Sequence, residues 1–439
     1  NSGGSERLAW LPAREVPAPR VPLVAQRSEA VRITGTLTPV SMSESAPGVF
    51  IYDLGQNLTG WVRLHLSALP AGTQLMLRHG ERLNPDGTLY TENLRRAKAT
   101  DRYIARGGTE ETFEPHFTFH GFQYVELTGF PGTPPPGTVT ACVVHSATPP
   151  AGHFECSHAG VNRLWLNGVW SQRDNFLSVP TDCPQRDERL GWMGDAQVFL
   201  RTASYNMNVA AFFTKWMIDV EDAQTAEGVF PDTAPRLREG ENFTGLGKLG
   251  GAAGWADAGV IIPHTLWRVY GDRRILERHY HAMVKWVDWI NRHNPSGLRL
   301  NELGNNYGDW LCLPSDTSFG THSPMKNLLA TAYWDDDAAK MAEIARALGH
   351  DADAARFQAM FEKVRTAFQR EWLRPDGQLV VETQTAYLLA LAFDLLPAEV
   401  RDRAAARLAE NIRSLDAHLS TGFIGISHLN PQLTLTGHA

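Results

Sequence analysis

The chain has 439 residues, 43% hydrophobic, 20% charged and 10% aromatic, a balance that excludes a disordered or low-complexity polymer. Its formal charge of -7 at pH 7 argues against a nucleic-acid partner, because phosphate binding needs a concentrated basic surface. Cys142, Cys156, Cys183 and Cys312 are scattered, with no CxxC or Cys/His cluster. Reduced thiols are predicted, with neither a disulfide framework nor a metal site.

Residues 1–150 read as one domain of β-structure. VRITGTLTPV, VFIYDLG, GWVRLHLSAL, TQLMLRHGE and FQYVELTGF are short and rich in β-branched or aromatic residues. Several alternate apolar with polar positions, as half-buried strands do. Turn residues separate them: Pro85-Asp86-Gly87, Gly107-Gly108, Gly129, Pro131-Gly132 and Pro134-Pro135-Pro136-Gly137. Strands at this spacing predict an antiparallel β-sandwich, and its pattern carries no recognisable chemistry. No apolar stretch approaches the ~18 residues of a membrane span. The opening NSGGSERLAW has neither a basic nor an apolar leader region. A cytoplasmic protein is predicted, although the missing initiator Met leaves an upstream export signal open.

After Thr148-Pro149-Pro150 the period changes. Val161, Leu164, Trp165 and Val169 in HAGVNRLWLNGVWSQRDNFLSV fall at helical spacing. Similar stretches follow near 195–206, 208–224, 255–270, 273–291, 325–347, 351–371, 383–395 and 397–413. Eleven of the thirteen tryptophans lie in this part, and most are expected in the core. Consecutive helices without a fixed-period repeat predict an all-α toroid of hairpins over residues 151–439 rather than a solenoid. Its loops then gather round a central cavity.

One of those loops concentrates charge. Thr181-Asp182-Cys183-Pro184-Gln185-Arg186-Asp187-Glu188-Arg189-Leu190-Gly191-Trp192-Met193-Gly194-Asp195 holds acids of mixed setting, arginines and a tryptophan between rigid Pro and Gly residues. A solvated surface loop is the plain alternative. Asp195 would then be the N-cap of the following helix, and Asp187 a partner for Arg186 or Arg189. Carboxylates beside arginine and tryptophan in a cleft instead suit glycoside hydrolysis. There one carboxylic acid protonates the leaving oxygen and a second carboxylate activates water or attacks.

DCPQRDERLGWMGDAQVF closely resembles the signature loop of bacterial α-L-rhamnosidases of glycoside hydrolase family 78. The resemblance runs along most of the chain. YDLGQNLTGWVRL, RHGERLNPDGTLYTENLR and TFHGFQYVELTGF resemble the family's β-sandwich. GVFPDTAP, GWADAGVIIPHTLWRVYGD, YGDWL and TGFIG resemble later loops of its (α/α)6 barrel. The resemblance implies Glu188 as general acid, with Asp182, Arg186, Trp192 and Asp195 lining the subsite for the rhamnose ring. Trp255 and Trp310 match further aromatic walls of that subsite, and Asp309 a hydroxyl ligand. Rhamnose carries a methyl group where other hexoses carry a C6 hydroxyl, and aromatic walls would hold it. No cofactor or metal is implied, the partner being a rhamnose-containing glycoside; oligomeric state is left open.

One departure stands out. The family's general base is a Glu in a Trp-Glu-rich motif downstream of the TGFIG loop, and no such motif occurs in residues 1–439. Glu302 and Glu382 sit in the wrong part of the series. The helices, with one begun near Ile424, also fall short of the twelve of a complete barrel. The chain therefore reads as a piece truncated at both ends, inactive by itself. Alternative readings are a non-catalytic carbohydrate-binding fragment and another helical-toroid glycosidase.

Overall fold

The computed structural model describes residues 12–18, 20–236, 250–300, 306–313 and 323–438. The N-terminal strands are β1 (Val31–Leu37), β2 (Ser41–Ala46), β3 (Val49–Ser67), β4 (Gln74–Gly80), the hairpin β5 (Arg82–Leu83) and β6 (Leu89–Tyr90), β7 (Thr100–Ile104), β8 (Glu110–Phe113), β9 (His120–Thr128) and β10 (Val139–Ser146). They form an antiparallel sheet in the order β1-β10-β3-β9-β4-β7, with β2 and β8 also paired to β3. VFIYDLG and GWVRLHLSAL, which read as two strands, are one continuous β3. Its register against β9 breaks between Asp53 and Leu58, and such a break lets one strand bend. The bent sheet buries Phe50, Leu58, Val62, Leu77, Phe122 and Val125 in a single core.

Ten helices follow among the described residues. They are α1 (Ala159–Asn175), α2 (Met193–Asn206), α3 (Ala210–Asp222), α4 (Ala258–Tyr270), α5 (Arg274–His293), α6 (Pro324–Leu348), α7 (Asp351–Trp372), α8 (Gln384–Ala392), α9 (Ala398–Ser414) and α10 (Phe423–Leu435). Local chemistry sets their ends. On α6 the Ser323 hydroxyl accepts from the Lys326 N–H, Pro324 occupies the first turn and Gly349 closes the helix in the left-handed region. The even-numbered helices follow one another round a ring, α2 on α4, α4 on α6, α6 on α8 and α8 on α10, with α10 also touching α2. Trp216, Trp286 and Trp334 are wholly buried between helices, the core role expected of most tryptophans. No helix among the described residues is long and apolar enough to cross a membrane.

The two parts are joined closely. Asp174 at the end of α1 accepts from the Thr59 N–H at 2.9 Å, and its carbonyl accepts from the Thr59 hydroxyl at 2.8 Å. Gly121 on β9 lies against the charged loop between α1 and α2: a Cβ there would stand 2.8 Å from Pro184 Cγ and 3.0 Å from Gln185. Only a residue without a side chain lets the sheet approach so near.

Candidate active site

The charged loop is pinned at its base. The Asp182 N–H donates to the Leu190 carbonyl at 3.0 Å, and Asp182 Oδ1 accepts from the Leu190 N–H at 2.9 Å. Residues between them are thereby looped out as one unit. Asp182 Oδ2 accepts from Arg186 Nη2 at 3.2 Å, and Arg186 Nε donates to Glu188 Oε2 at 3.0 Å. Trp192, the N-cap of α2, donates its indole N–H to Glu188 Oε1 at 2.9 Å. Asp182, Arg186, Glu188 and Trp192 are thus one hydrogen-bonded chain, two carboxylates bridged by a guanidinium fork.

These four residues line a cavity of about 800 Å³, together with Asp195, Trp255 and Trp310. Asp195 is the third residue of α2 rather than its N-cap. Its carboxyl has no partner among the described residues beyond its own backbone, so it faces the cavity available to a ligand. Burial, and next the charge of Asp182, push it up to about 7; burial likewise raises Asp182. Trp255 precedes α4 in a turn and does not open the helix itself. Its indole lies flat on Gly194, where a Cβ would come within 2.6 Å of the ring. Gly194 is what allows Trp255 to reach the wall.

Asp309 differs from expectation. Its two oxygens accept from the N–H groups of Gly422, Ile424 and Gly425 and from the Thr385 hydroxyl, and it does not line the cavity. A carboxylate already accepting four donors has no lone pair left for a sugar hydroxyl. Its part is to bind the TGFIG loop to the start of α10. Asp187 also departs from the plain reading: it pairs with Arg96 at 2.7 Å. Arg189 turns out of the site, its guanidinium stacked over Phe119 at 4.3 Å and donating to that residue's carbonyl. Glu382 is exposed and accepts from Tyr387; Glu302 lies outside the described residues.

Among the wall residues that sequence reading did not single out, three bear on the chemistry. Tyr307 sits between Trp192 and Trp255, with ring centroids 5.8 and 4.5 Å away, and its hydroxyl donates to Asp232 at 2.9 Å. Its place in the same YGDW stretch as Trp310 was the available signal. Phe423 meets the Trp255 ring edge-on at 5.1 Å. Arg95 comes from the sheet domain and donates Nη1 to Glu188 Oε2 at 3.1 Å; no local pattern marks it.

Among the described residues two clusters have metal-ligand residue types, and the geometry of neither suits a cation. Asp182, Cys183 and Glu188 lie close together, but Arg186 already bonds to both carboxylates. Burial pushes the Cys183 thiol up to about 12. In the sheet domain His79, Asp101 and His120 cluster, yet the two imidazoles stack at 4.1 Å and 19°. Lone pairs in nearly parallel planes do not converge on one ion.

A stability prediction arises from Asp195. Its folded value of about 7 lies above the ordinary 3.8, so the folded state keeps a proton that the unfolded chain releases. That contribution is complete below pH 3.8 and lost as pH rises through 7. Asparagine does not titrate. The Tm of Asp195→Asn should therefore gain on the parent between pH 4 and 7, then hold level to pH 8.5. A Tm difference that stays flat from pH 4 to 8.5 would show that Asp195 is ionised throughout.

The chain matches two family models, the bacterial α-L-rhamnosidase concanavalin-like domain over residues 43–145 and the bacterial α-L-rhamnosidase six-hairpin glycosidase domain over residues 149–439. It is 46% identical to an α-L-rhamnosidase of Streptomyces avermitilis over 100% of this chain and 40% of that protein. It is 40% identical to one of Formosa agariphila over 88% of this chain and 41% of that protein. The chain thus spans well under half the length of these relatives. The crystal structure of the S. avermitilis enzyme complexed with L-rhamnose superposes with a TM-score of 0.88, covering 95% of this chain and 38% of that one. Native α-L-rhamnosidase from Aspergillus terreus gives 0.87 at 35% identity, covering 97% and 49%. With the six-hairpin model matching most of its length and the sheet model the strands before it, the chain belongs to the bacterial α-L-rhamnosidase family.

Proposed function

We propose that the protein hydrolyses terminal α-L-rhamnosides, with Glu188 as the general acid. The observation that carries this reading is the placement of Glu188: a carboxyl on the wall of an aromatic-lined cavity, held by Arg186 and Trp192 and flanked by Asp182 and Asp195. In the reaction the bond from the anomeric carbon to the glycosidic oxygen breaks. Its electron pair stays on that oxygen, which takes the proton of Glu188. Water adds at the anomeric carbon and loses its proton to a second carboxylate. Arg186 and Asp195 bind ring hydroxyls, the first as donor and the second as acceptor or donor according to its proton. Trp192, Trp255, Tyr307 and Trp310 supply apolar faces for the ring and its methyl group.

Titration calorimetry with L-rhamnose and L-mannose tests the reading. The two sugars differ only by a hydroxyl at C6, which aromatic walls would leave without a partner. L-Rhamnose should bind ~10–10²-fold tighter, the range in which an apolar pocket rejects an added hydroxyl. Equal affinities, or no binding of L-rhamnose, would refute the assignment.

A further inference from the structure

Asp232, in the GVFPDTAP loop, is wholly buried and does not line the cavity. It is nevertheless bonded to three elements that carry the aromatic wall. Its main-chain carbonyl accepts from the Met193 N–H at 2.9 Å, one residue after Trp192, and the next residue, Thr233, pairs with Trp192 in a short antiparallel bridge. Its Oδ1 accepts from the Ala252 N–H at 3.0 Å. There the turn to Trp255 begins, and the Trp255 N–H donates to the Ala252 carbonyl at 3.1 Å. Its Oδ2 accepts from the Tyr307 hydroxyl at 2.9 Å. One residue behind the wall thus touches the supports of Trp192, Trp255 and Tyr307.

We infer that Asp232 is the positioning residue of the sugar pocket: it fixes Trp192, Trp255 and Tyr307 relative to one another, and thereby sets the pocket's preference for a sugar that ends in a methyl group. The inference rests on the rhamnoside reading, and Asp232 acts through the three rings without meeting the sugar.

Ring contacts by themselves position poorly. Tyr307 meets Trp192 at 83° and Trp255 at 52°, and aromatic pairs of this kind tolerate a range of offsets. A pocket that tells a methyl group from a hydroxymethyl group needs its walls held to about half an ångström. A carboxylate with a separate donor on each oxygen supplies that, since each bond has a preferred length and direction. Asp257 holds the Trp255 turn at Gly254, whereas Asp232 joins that turn to the other two walls. The bond to Tyr307 has a second consequence. With its hydroxyl drawn back onto Asp232, Tyr307 shows the cavity a ring. A hydroxyl released from Asp232 would be free to meet the C6 hydroxyl of another hexose, and the pocket would lose its ground for rejecting one.

The test is titration calorimetry with L-rhamnose and L-mannose at about pH 8.5, above the value of about 7 to which burial raises Asp232, so that both oxygens accept. Asp232→Ala leaves the Ala252 N–H and the Tyr307 hydroxyl without their acceptor, and buried donors must then find another. L-Rhamnose should bind about tenfold more weakly, and its margin over L-mannose should shrink to about twofold. Asp232→Asn can still bond both partners, its oxygen accepting from Ala252 and its NH₂ group donating to the Tyr307 oxygen, and should keep most of the affinity and the margin. Tyr307→Phe retains the ring and removes only its tether, so L-rhamnose should bind about threefold more weakly. A merely structural Asp232 would lower the Tm of Asp232→Ala, while the folded protein below that Tm bound both sugars as wild type does. That result overturns the inference, as do an asparagine variant no better than alanine and, if the alanine variant does not fold, unchanged L-rhamnose affinity in Tyr307→Phe. Any of these beside a normal wild-type preference for L-rhamnose overturns the Asp232 assignment alone, whereas failure of L-rhamnose to bind the wild-type chain overturns the rhamnoside reading with it.

Discussion

Glu188→Gln is expected to lower hydrolysis of an alkyl α-L-rhamnoside by about 10²–10⁴-fold, the usual contribution of a positioned general acid. The amide cannot give up a proton to the departing oxygen. It keeps one accepting oxygen for the two guanidiniums, but it sets an NH₂ group against the Trp192 N–H or a guanidinium, so some loosening of Trp192 should accompany the loss. A nitrophenyl leaving group needs little protonation, so its hydrolysis should fall much less. Comparing the two substrates in an actively hydrolysing form of the protein separates acid catalysis from general damage to the site. Equal losses for good and poor leaving groups would remove Glu188 from the acid role.

Replacing Asp257 by alanine should be the most damaging single change to the fold. Asp257 and Arg299 are a buried ion pair at 3.1 Å, with side chains 0% and 5% exposed. Asp257 also accepts from the Trp286 indole at 3.1 Å and from the Gly254 N–H at 2.7 Å. Burial, with the charge of Asp257, holds neighbouring Asp337 well above the usual carboxylate range. It keeps its proton and does not repel Asp257. Deleting Asp257 leaves the Arg299 charge buried and strands the Gly254 N–H. Breaking a buried pair by removing one partner costs ~3–5 kcal/mol, so the Tm should fall by about 10 °C. L-Rhamnose binding should weaken too, because Gly254 fixes the turn that presents Trp255. A loss below about 1 kcal/mol would show that Asp337 ionises and takes over Arg299.

Two residues of the same short loop show where sequence reading stops. Trp310 and Asp309 both lie in YGDW, and both were expected to meet the sugar. Trp310 reaches the cavity. Asp309 instead accepts from Gly422, Ile424 and Gly425, more than a hundred residues downstream. A carboxylate between two glycine-rich loops can serve a ligand or a buried backbone, and only the folded chain decides. Buried N–H groups are nearly always satisfied. Where α10 begins against this loop, Asp309 is the acceptor at hand.

What the sequence by itself determined is whatever is periodic or local. The alternation in TQLMLRHGE and FQYVELTGF marked strands, and the 3.6-residue spacing beyond Pro150 marked the helices, because each element's own residues must bury one face. Asp182, Arg186, Glu188, Trp192 and Asp195 were legible together for the same reason. They fall within one loop, whose prolines and glycines restrict its backbone. Tertiary structure alone decided that Glu188 shares its oxygen with Arg95, 93 residues earlier, and that Tyr307 and Phe423 complete the aromatic wall. It also set the sheet domain against the loop through Gly121. None of these has a period or spacing. Each follows from which surfaces meet once the sheet core and the helical ring have formed, and that packing depends on the whole chain.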